Sequence, residues 1–154
     1  MTRLTVGATA PDFTLEDQDG RTVTLASLRG ERFVLYFYPE DDTPGCTVEA
    51  CGFNDGLAAF KELAVRVLGV SPDDAASHAK FRAKYDLDFD LVSDPSKTTM
   101  AAYGAYGEKM LYGKTVVGVI RSTFVIGPSG LIEHVWYGPR TQGHAQRVLA
   151  AIKG

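Results

Sequence analysis

The central part of the chain combines nearly continuous apolar runs with apolar residues spaced for a helix. Residues 33–38 and 65–70 are apolar at almost every position, which is typical of strands covered on both faces. Between these runs, apolar residues recur every three or four positions over 46–64, which predicts one helix with a single apolar stripe. We therefore expect two buried strands joined by a helix, with the first strand at the centre of a sheet.

The remaining segments predict further strands and helices on either side of this unit. Residues 13–15 and 22–25 flank an Asp19-Gly20 turn and predict an N-terminal β-hairpin. Next in chain order we predict a helix from Asp73 or Asp74 to Tyr85, a strand over 91–93 and a helix over 97–103 capped by Asp94. A loop over 104–113 is predicted to follow, then a strand over 115–126 in a hairpin with 131–137, and last a helix over 142–152 capped by Thr141. This order predicts an α/β fold, with a mixed central sheet and helices on both faces.

Composition and charge narrow the class of protein. The 154 residues are 45% hydrophobic and 23% charged, so we expect residues 1–154 to form a single domain with its own core. The net charge of −3 and the lack of a basic patch argue against a nucleic acid or a membrane as partner. The segment 1–7 lacks the apolar core of a secretion signal, and no apolar run approaches about 18 residues. We therefore expect a cytoplasmic protein.

Both cysteines lie at the start of the predicted first helix. Thr43 and Pro44 supply a hydroxyl and a fixed φ where a helix can begin, so Cys46 falls in the first turn. Unpaired N–H groups and the helix dipole favour a thiolate there. On a helix, Cys51 lies about 140° around the axis from Cys46, with the Cα atoms roughly 8.6 Å apart. A disulfide needs Cα atoms within about 4.4–6.8 Å, so the first turns would have to unwind.

The residues around the cysteines make such unwinding easy. Several are mediocre or poor helix formers, and each glycine costs about 1 kcal/mol relative to alanine: Thr47, Val48, Gly52, Asn54, Asp55 and Gly56. This composition favours a cycle in which Cys46 reacts in the folded helix and Cys51 reacts after local unfolding.

Two other interpretations remain open from the spacing alone. Both cysteines can be ordinary buried residues, a common fate of free cysteine. A metal site has less support, because zinc needs a second pair of ligands. The three histidines, His78, His134 and His144, are isolated in sequence, and we expect each to be a surface or a hydrogen-bonded residue.

The residues flanking Cys46 resemble a known active-site motif. Pro39, Thr43 and Cys46 match the P-x-x-x-T-x-x-C motif of peroxiredoxins. The stretch 36–51 is similar to the Q-type subgroup, also called bacterioferritin comigratory protein. The resemblance covers nearly the whole chain and includes residues 10–13, 68–73, 91–94, 112–114 and 121–126.

This resemblance implies a thioredoxin-like fold and a thiol peroxidase in antioxidant defence, without cofactor or metal. By resemblance, Cys46 is the peroxidatic cysteine, and Cys51 matches the resolving cysteine of members that form an intramolecular disulfide within this helix. Thr43 matches the residue that contacts the thiolate and the peroxide, Pro39 the ring that shields the sulfur from water, and Arg121 the cation that stabilises thiolate and transition state. The implied substrates are hydrogen peroxide and organic hydroperoxides, and the implied reductant is thioredoxin or a similar dithiol. We expect a monomer.

The charged residues near Cys46 allow more than one interpretation. Arg121 interrupts an apolar strand, where a buried charge needs a partner, and the alternative is an edge-strand arginine that reaches solvent. The segment Glu40-Asp41-Asp42 would oppose a thiolate if it faced the sulfur, and we expect it to form a solvated turn. Many relatives have lysine where this chain has Glu40 and a basic residue where it has Val48, which bears on substrate preference and reductant docking. Glu49 can pair with an arginine or serve as a simple helix-start carboxylate.

Two rival functions use the same cysteines. A thiol–disulfide oxidoreductase is disfavoured, because the CxxC of such enzymes is absent. A redox-sensing or chaperone-like interaction module would use a Cys46–Cys51 bond to expose a surface. Catalytic consumption of peroxide would distinguish a peroxidase from both of these rivals.

Overall fold

The computed structural model describes residues 3–154. Met1 and Thr2, which begin the segment expected not to be a secretion signal, lie outside the described residues. The strands are β1 (Thr14–Asp17), β2 (Thr22–Thr24), β3 (Arg32–Phe37), β4 (Val65–Ser71), β5 (Asp90–Ser93), β6 (Tyr106–Leu111), β7 (Lys114–Val119), β8 (Ser122–Ile126) and β9 (Ile132–Tyr137). The helices are α1 (Pro44–Asp55), α2 (Leu57–Glu62), α3 (Ala75–Tyr85), α4 (Thr98–Ala102) and α5 (His144–Lys153), with a short 3-10 helix at Ala26–Leu28.

Strand β3 lies near the centre of a mixed sheet with the order β2-β1-β5-β4-β3-β8-β9. It pairs in parallel with β4 and antiparallel with β8, while the predicted hairpin β1–β2 joins the sheet through β5. Residues 33–38 are at most 1% exposed, which confirms the prediction of a strand covered on both faces.

The side chains of β3 point alternately into two apolar clusters, one on each face of the sheet. Phe33, Leu35 and Phe37 pack in the first cluster, together with a side chain from α4. Val34 and Tyr36 pack in the second cluster, with apolar residues of α1, α2, α3 and α5. Helices therefore cover both faces of the sheet, as predicted.

The helix predicted as one segment over 46–64 is divided into two. Helix α1 ends at Asp55 and α2 begins at Leu57. Gly56 between them has a φ of −90° and a ψ of 2°, and its N–H donates to the carbonyl of Gly52 at 3.2 Å. The apolar stripe continues through this break, so its periodicity did not reveal it. The low helix propensity of glycine explains the position of the break.

Helices α3 and α4 differ in how they begin. The prediction for α3 is confirmed, because the side chain of Asp74 accepts a hydrogen bond from the N–H of Ser77 at 2.8 Å. The predicted start of α4 is wrong, since Lys97 has a φ of 62° and the helix begins only after it. Asp94 does not cap this helix at its first residue but accepts a hydrogen bond from the N–H of Met100 at 2.8 Å.

Helix α5 begins at His144, two residues later than predicted. The cap position is occupied by Gly143, whose φ of 72° is incompatible with a helix that starts earlier. Thr141 does not cap through its side chain, and only its carbonyl accepts from the N–H of His144, at 3.3 Å.

The loop predicted over 104–113 and the single strand predicted over 115–126 are both wrong. Strands β6 and β7 form a separate two-stranded hairpin, and β7 does not continue into β8. The hairpin turns at Tyr112 and Gly113, which have φ values of 52° and 77°, as a type I′ turn requires. The chain then passes through Ile120 and Arg121 into β8, so Arg121 lies in a junction and not within a strand.

Within residues 3–154, no helix has the length and apolar character needed to cross a membrane.

Candidate active site

The reactive turn, defined here as residues 39–43, connects the carboxyl end of β3 to α1. Thr43 occupies the cap position with φ −91° and ψ 156°, and Pro44 is the first helical residue. Cys46 consequently lies in the first turn of α1 and is 1% exposed. The sulfur is thus placed at the helix end whose backbone N–H groups are unpaired and whose dipole is positive.

Arg121 contacts Cys46 from the junction between β7 and β8. Its Nη2 donates to Cys46 Sγ at 3.4 Å, and its Nη1 donates to Glu49 Oε1 at 2.6 Å. The guanidinium therefore joins a cysteine and a carboxylate that lie one helical turn apart. Its side chain is only 18% exposed, which contradicts the alternative of an arginine that reaches solvent. A cation at this distance stabilises a thiolate over a thiol.

Glu49 is the buried counter-charge of Arg121. Its side chain is fully buried, and its Oε2 has no hydrogen-bond partner within residues 3–154. Burial raises the pKa of Glu49 from its ordinary 4.5 to about 7, although Arg121 opposes this change. Burial disfavours the cationic form of Arg121, but the negative charges of Glu49 and Cys46 outweigh that effect and raise the pKa of Arg121. Of the two sequence interpretations of Glu49, pairing with an arginine is the one confirmed.

Pro39 and Thr43 take different positions around the cysteine. Pro39 and Arg121 line one open cleft of about 620 Å³, which also borders the β6–β7 hairpin. The Thr43 hydroxyl donates to the carbonyl of Glu40 at 3.1 Å, and in the described chain it forms no hydrogen bond with Cys46. The structure thus brings Arg121 onto the sulfur and Pro39 to the same cleft, while the Thr43 hydroxyl faces its own turn.

Cys51 lies farther along α1 and is a free thiol, as is Cys46. It is partly exposed, and burial together with the nearby Asp55 raises its pKa. Because α1 is helical from Pro44 to Asp55, the two cysteines have the separation expected for an intact helix. In this conformation they cannot form a disulfide.

The prediction that residues 40–42 form a solvated turn is wrong for Asp41. Asp41 is 9% exposed, and its Oδ1 accepts from the Tyr38 hydroxyl at 2.5 Å. Its Oδ2 accepts from the Ser77 hydroxyl at 2.7 Å and lies 2.7 Å from His78 Nδ1. Helix α3 packs over the turn and supplies Ser77 and His78, which the local sequence of the turn does not reveal.

Asp42 and Glu40 remain at the surface, as expected. Asp42 accepts hydrogen bonds from Lys84 Nζ and from the Tyr85 hydroxyl, both at 2.7 Å. These two bonds lower the pKa of Asp42. Neither carboxylate forms a hydrogen bond with Arg121 or Cys46 in the described chain, and Glu49 is the carboxylate that contacts Arg121.

The other two histidines, His134 and His144, pack with aromatic side chains of α1 and β9. His144 is fully buried, its Nε2 lies 2.8 Å from Thr123 Oγ1, and burial lowers its pKa to about 4. It packs edge-on against both Phe53 of α1 and Trp136 of β9, and His134 stacks against Trp136. No group of three or more histidine, cysteine or acidic side chains within residues 3–154 is arranged to hold a metal ion.

The chain is similar to several known proteins over most of its length. Residues 6–135 match the family model described as the AhpC/TSA family. The chain is 42% identical over 153 residues to peroxiredoxin Bcp of Escherichia coli, covering 99% of this chain and 98% of that protein. Among solved structures, it is 41% identical to the bacterioferritin comigratory protein of Xanthomonas campestris, studied for its alkyl peroxide reduction activity, with a TM-score of 0.86 over 92% of this chain and 90% of that one. A PrxQ mutant of Xylella fastidiosa gives 36% identity and a TM-score of 0.91 over 99% and 98% of the two chains.

Proposed function

We propose that this chain reduces hydrogen peroxide and organic hydroperoxides at Cys46, because it belongs to the AhpC/TSA family and is a peroxiredoxin of the Bcp and PrxQ type. Its thioredoxin-like fold and its class, a peroxidase and therefore an oxidoreductase, follow from the same relatives. The observation that carries the proposal is the 3.4 Å contact from Arg121 Nη2 to Cys46 Sγ in the first turn of α1. The alkyl peroxide reduction of the Xanthomonas protein supports the inclusion of organic hydroperoxides.

In the first step, the Cys46 thiolate attacks the terminal oxygen of the peroxide. An S–O bond forms, the O–O bond breaks, and its electron pair leaves with the departing oxygen, which takes a proton and becomes water or an alcohol. Cys46 becomes a sulfenic acid. Negative charge moves from the sulfur to the departing oxygen, so donors that face both atoms stabilise the transition state more than the ground state. Arg121 is placed to supply one such donor.

Thr43 and Pro39 complete the proposed site. Thr43 occupies the cap position of α1, three residues before Cys46, and among residues 3–154 its hydroxyl bonds only the carbonyl of Glu40. A rotation about χ1 that breaks this single bond would free the hydroxyl to contact a bound peroxide. Pro39 borders the cleft beside Arg121 and has no N–H that would attract water to the sulfur.

In the second step, Cys51 resolves the sulfenic acid. The Cys51 thiol attacks Cys46 sulfur, a disulfide forms, and the sulfenic oxygen leaves as water. Helix α1 must unwind for this step, because an intact helix holds the two sulfur atoms on different sides. Thr47, Gly52 and Asn54 are poor helix formers. Helix α1 also ends soon after them, at Asp55, with Gly56 in the C-cap position.

Regeneration requires a dithiol donor, which we propose to be thioredoxin or a similar protein. Its two thiols become a disulfide as Cys46 and Cys51 return to thiols, so two electrons move per peroxide reduced. We propose further that the chain acts as one domain and as a monomer in the cytoplasm, in antioxidant defence, without metal, cofactor, nucleic acid or membrane as partner.

Two cysteine variants test this proposal. Cys46→Ser should abolish peroxide consumption, while Cys51→Ser should consume one equivalent of peroxide and stop as a sulfenic acid. Stopped-flow measurement of peroxide loss with thioredoxin as donor, followed by mass spectrometry of the oxidised protein, distinguishes these outcomes. Steady turnover in Cys46→Ser would refute the assignment. Insulin reduction faster than peroxide reduction would favour a thiol–disulfide oxidoreductase instead.

A further inference from the structure

A buried polar cluster lies beside the reactive turn and has no part in the proposed chemistry. We call it the Asp41 clamp, and it consists of Asp41, Tyr38, Ser77 and His78. The side chain of Asp41 is 4% exposed and that of His78 is fully buried. Burying a carboxylate and an imidazole is unfavourable unless both are hydrogen-bonded. The clamp therefore depends on hydrogen bonds between its members, and these bonds fix the positions of its side chains.

Each polar atom of the clamp has a partner. The two oxygens of Asp41 are contacted by three side chains, from Tyr38, Ser77 and His78, at 2.5 to 2.7 Å. His78 Nε2 lies 3.2 Å from the carbonyl oxygen of Val92, which can only accept, so Nε2 carries a proton. The clamp is a closed network that connects Tyr38, the residue after β3, with the reactive turn, α3 and β5.

The next residue of the turn is also held by α3. Asp42 has a φ of 60°, in the left-handed region that non-glycine residues seldom occupy. Lys84 Nζ and the Tyr85 hydroxyl hold its carboxylate at 2.7 Å. Helix α3 therefore fixes two successive residues of the reactive turn, one of them in an unfavourable backbone conformation. The turn would relax if these contacts were lost.

The clamp lies where it can control α1. Asp41 precedes Cys46 by five residues, and between them are the helix cap Thr43 and the first helical residue Pro44. Within residues 3–154, no side chain of α1 forms a hydrogen bond with a residue of α3, so the hydrogen bonds through which α3 can position the first turn of α1 are those it makes to the reactive turn. On its other side, the first turn is held by Arg121, which contacts Cys46 and Glu49. A displacement of the reactive turn would therefore shift the start of α1 and the contact of Cys46 with Arg121.

We propose that Asp41 is a positioning residue that keeps α1 folded and thereby sets the fate of the Cys46 sulfenic acid. This inference rests on the proposed function. In the folded helix, the sulfenate can attack a second peroxide, which gives a sulfinate and releases water or an alcohol. In the unwound helix, Cys51 attacks the sulfenic acid and releases water, which gives the disulfide. The clamp favours the first route at the expense of the second, because it stabilises the folded helix.

The test compares Asp41→Ala with Asp41→Asn. Alanine removes all three side-chain bonds, whereas the asparagine oxygen can accept from Tyr38 and its amide can donate to Ser77 and to His78 Nδ1. Hydrogen exchange of the α1 amides in the reduced protein measures helix opening without any peroxide. We expect exchange about tenfold faster in Asp41→Ala and close to wild type in Asp41→Asn.

The same variants are then cycled with peroxide and thioredoxin, and sulfinic acid per turnover is measured by mass spectrometry. Asp41→Ala should form several-fold less sulfinic acid and close its disulfide faster, with slower attack on peroxide. Asp94→Ala is the matched control, because Asp94 is also buried but holds the N–H of Met100 on the other face of the sheet. Its sulfinic acid yield should equal that of the wild type.

The α5 amides provide an internal reference for global unfolding. Faster exchange in α1 alone supports the inference. Unchanged α1 exchange in Asp41→Ala, or an increase of equal size in α1 and α5, would overturn it. A wild-type protein that consumes no peroxide would refute the proposed function, while the exchange of α1 would still decide whether Asp41 holds the helix.

Discussion

Replacing Glu49 by glutamine should change how the stability of the protein depends on pH. Glu49 is fully buried and its pKa is raised to about 7 from 4.5. Between these two pH values the folded state binds more protons than the unfolded state, so stability falls as pH rises. Above pH 7, Glu49 is ionised in both the folded and the unfolded state, and the loss of stability is complete. A difference of about 2.5 pKa units corresponds to a loss of about 3 kcal/mol across this range.

His144 acts in the opposite direction. Burial, followed by the positive charges of Arg147 and Arg121, lowers the pKa of His144 to about 4 from 6.5. Between these values the unfolded state binds more protons, so stability rises with pH by a similar amount, about 3 kcal/mol. In the wild type the two effects nearly cancel between pH 4.5 and 6.5. In Glu49→Gln, only the increase of stability with pH that His144 causes remains.

Urea unfolding followed by far-ultraviolet circular dichroism, at several pH values from 5 to 8, measures both effects. The stability of Glu49→Gln relative to wild type should increase by about 2 to 3 kcal/mol from the lowest to the highest pH. Glu62→Gln is the matched control, because Glu62 is exposed and its substitution should shift the whole curve without changing its shape. Parallel curves for Glu49→Gln and wild type would refute the reasoning. A decrease in the stability of Glu49→Gln relative to wild type as pH rises would mean that attraction to Arg121 outweighs burial at Glu49.

Three further substitutions test the site and the core. Arg121→Lys keeps the positive charge but loses the two-pronged geometry, so the stopped-flow rate constant for peroxide should fall by about 10²–10³-fold, and a wild-type rate would contradict this. Gly52→Ala places a methyl group 3.7 Å from Ala145 Cβ, where there is room, and should stabilise α1 by about 1 kcal/mol. Disulfide closure, followed by rapid-quench alkylation, should then slow about fivefold, whereas unchanged closure would mean that helix opening does not limit it. Gly69→Ala places a methyl group 2.9 Å from the ring of Tyr36 and should lower stability to urea by about 1–3 kcal/mol, which wild-type stability would exclude.

The parts of the fold predicted from the sequence are those with strong local signals. The apolar run 33–38 identified the central strand, and Thr43-Pro44 identified the start of α1 with Cys46 in its first turn. The role of Arg121 came from resemblance, since no periodicity connects a junction residue to a cysteine 75 positions away. Periodicity describes which face of an element is apolar, but not which elements meet.

The parts that sequence did not predict depend on tertiary contacts. Nothing local distinguishes Asp41 from Asp42, yet one is buried against α3 and the other lies at the surface. The β6–β7 hairpin is different, because Tyr112-Gly113 is a two-residue turn of a known kind between two possible strands. That signal was present in the sequence, and the prediction of a loop over 104–113 missed it.

The chain has a single tryptophan, and its position gives the protein an intrinsic optical reporter. Trp136 contacts His144, and His144 contacts Phe53 on the helix that carries both cysteines. Unwinding of α1 displaces Phe53 and so changes the surroundings of the indole without any added dye. The emission of Trp136 should therefore change in step with disulfide closure, so that one unlabelled sample reports on helix opening in real time.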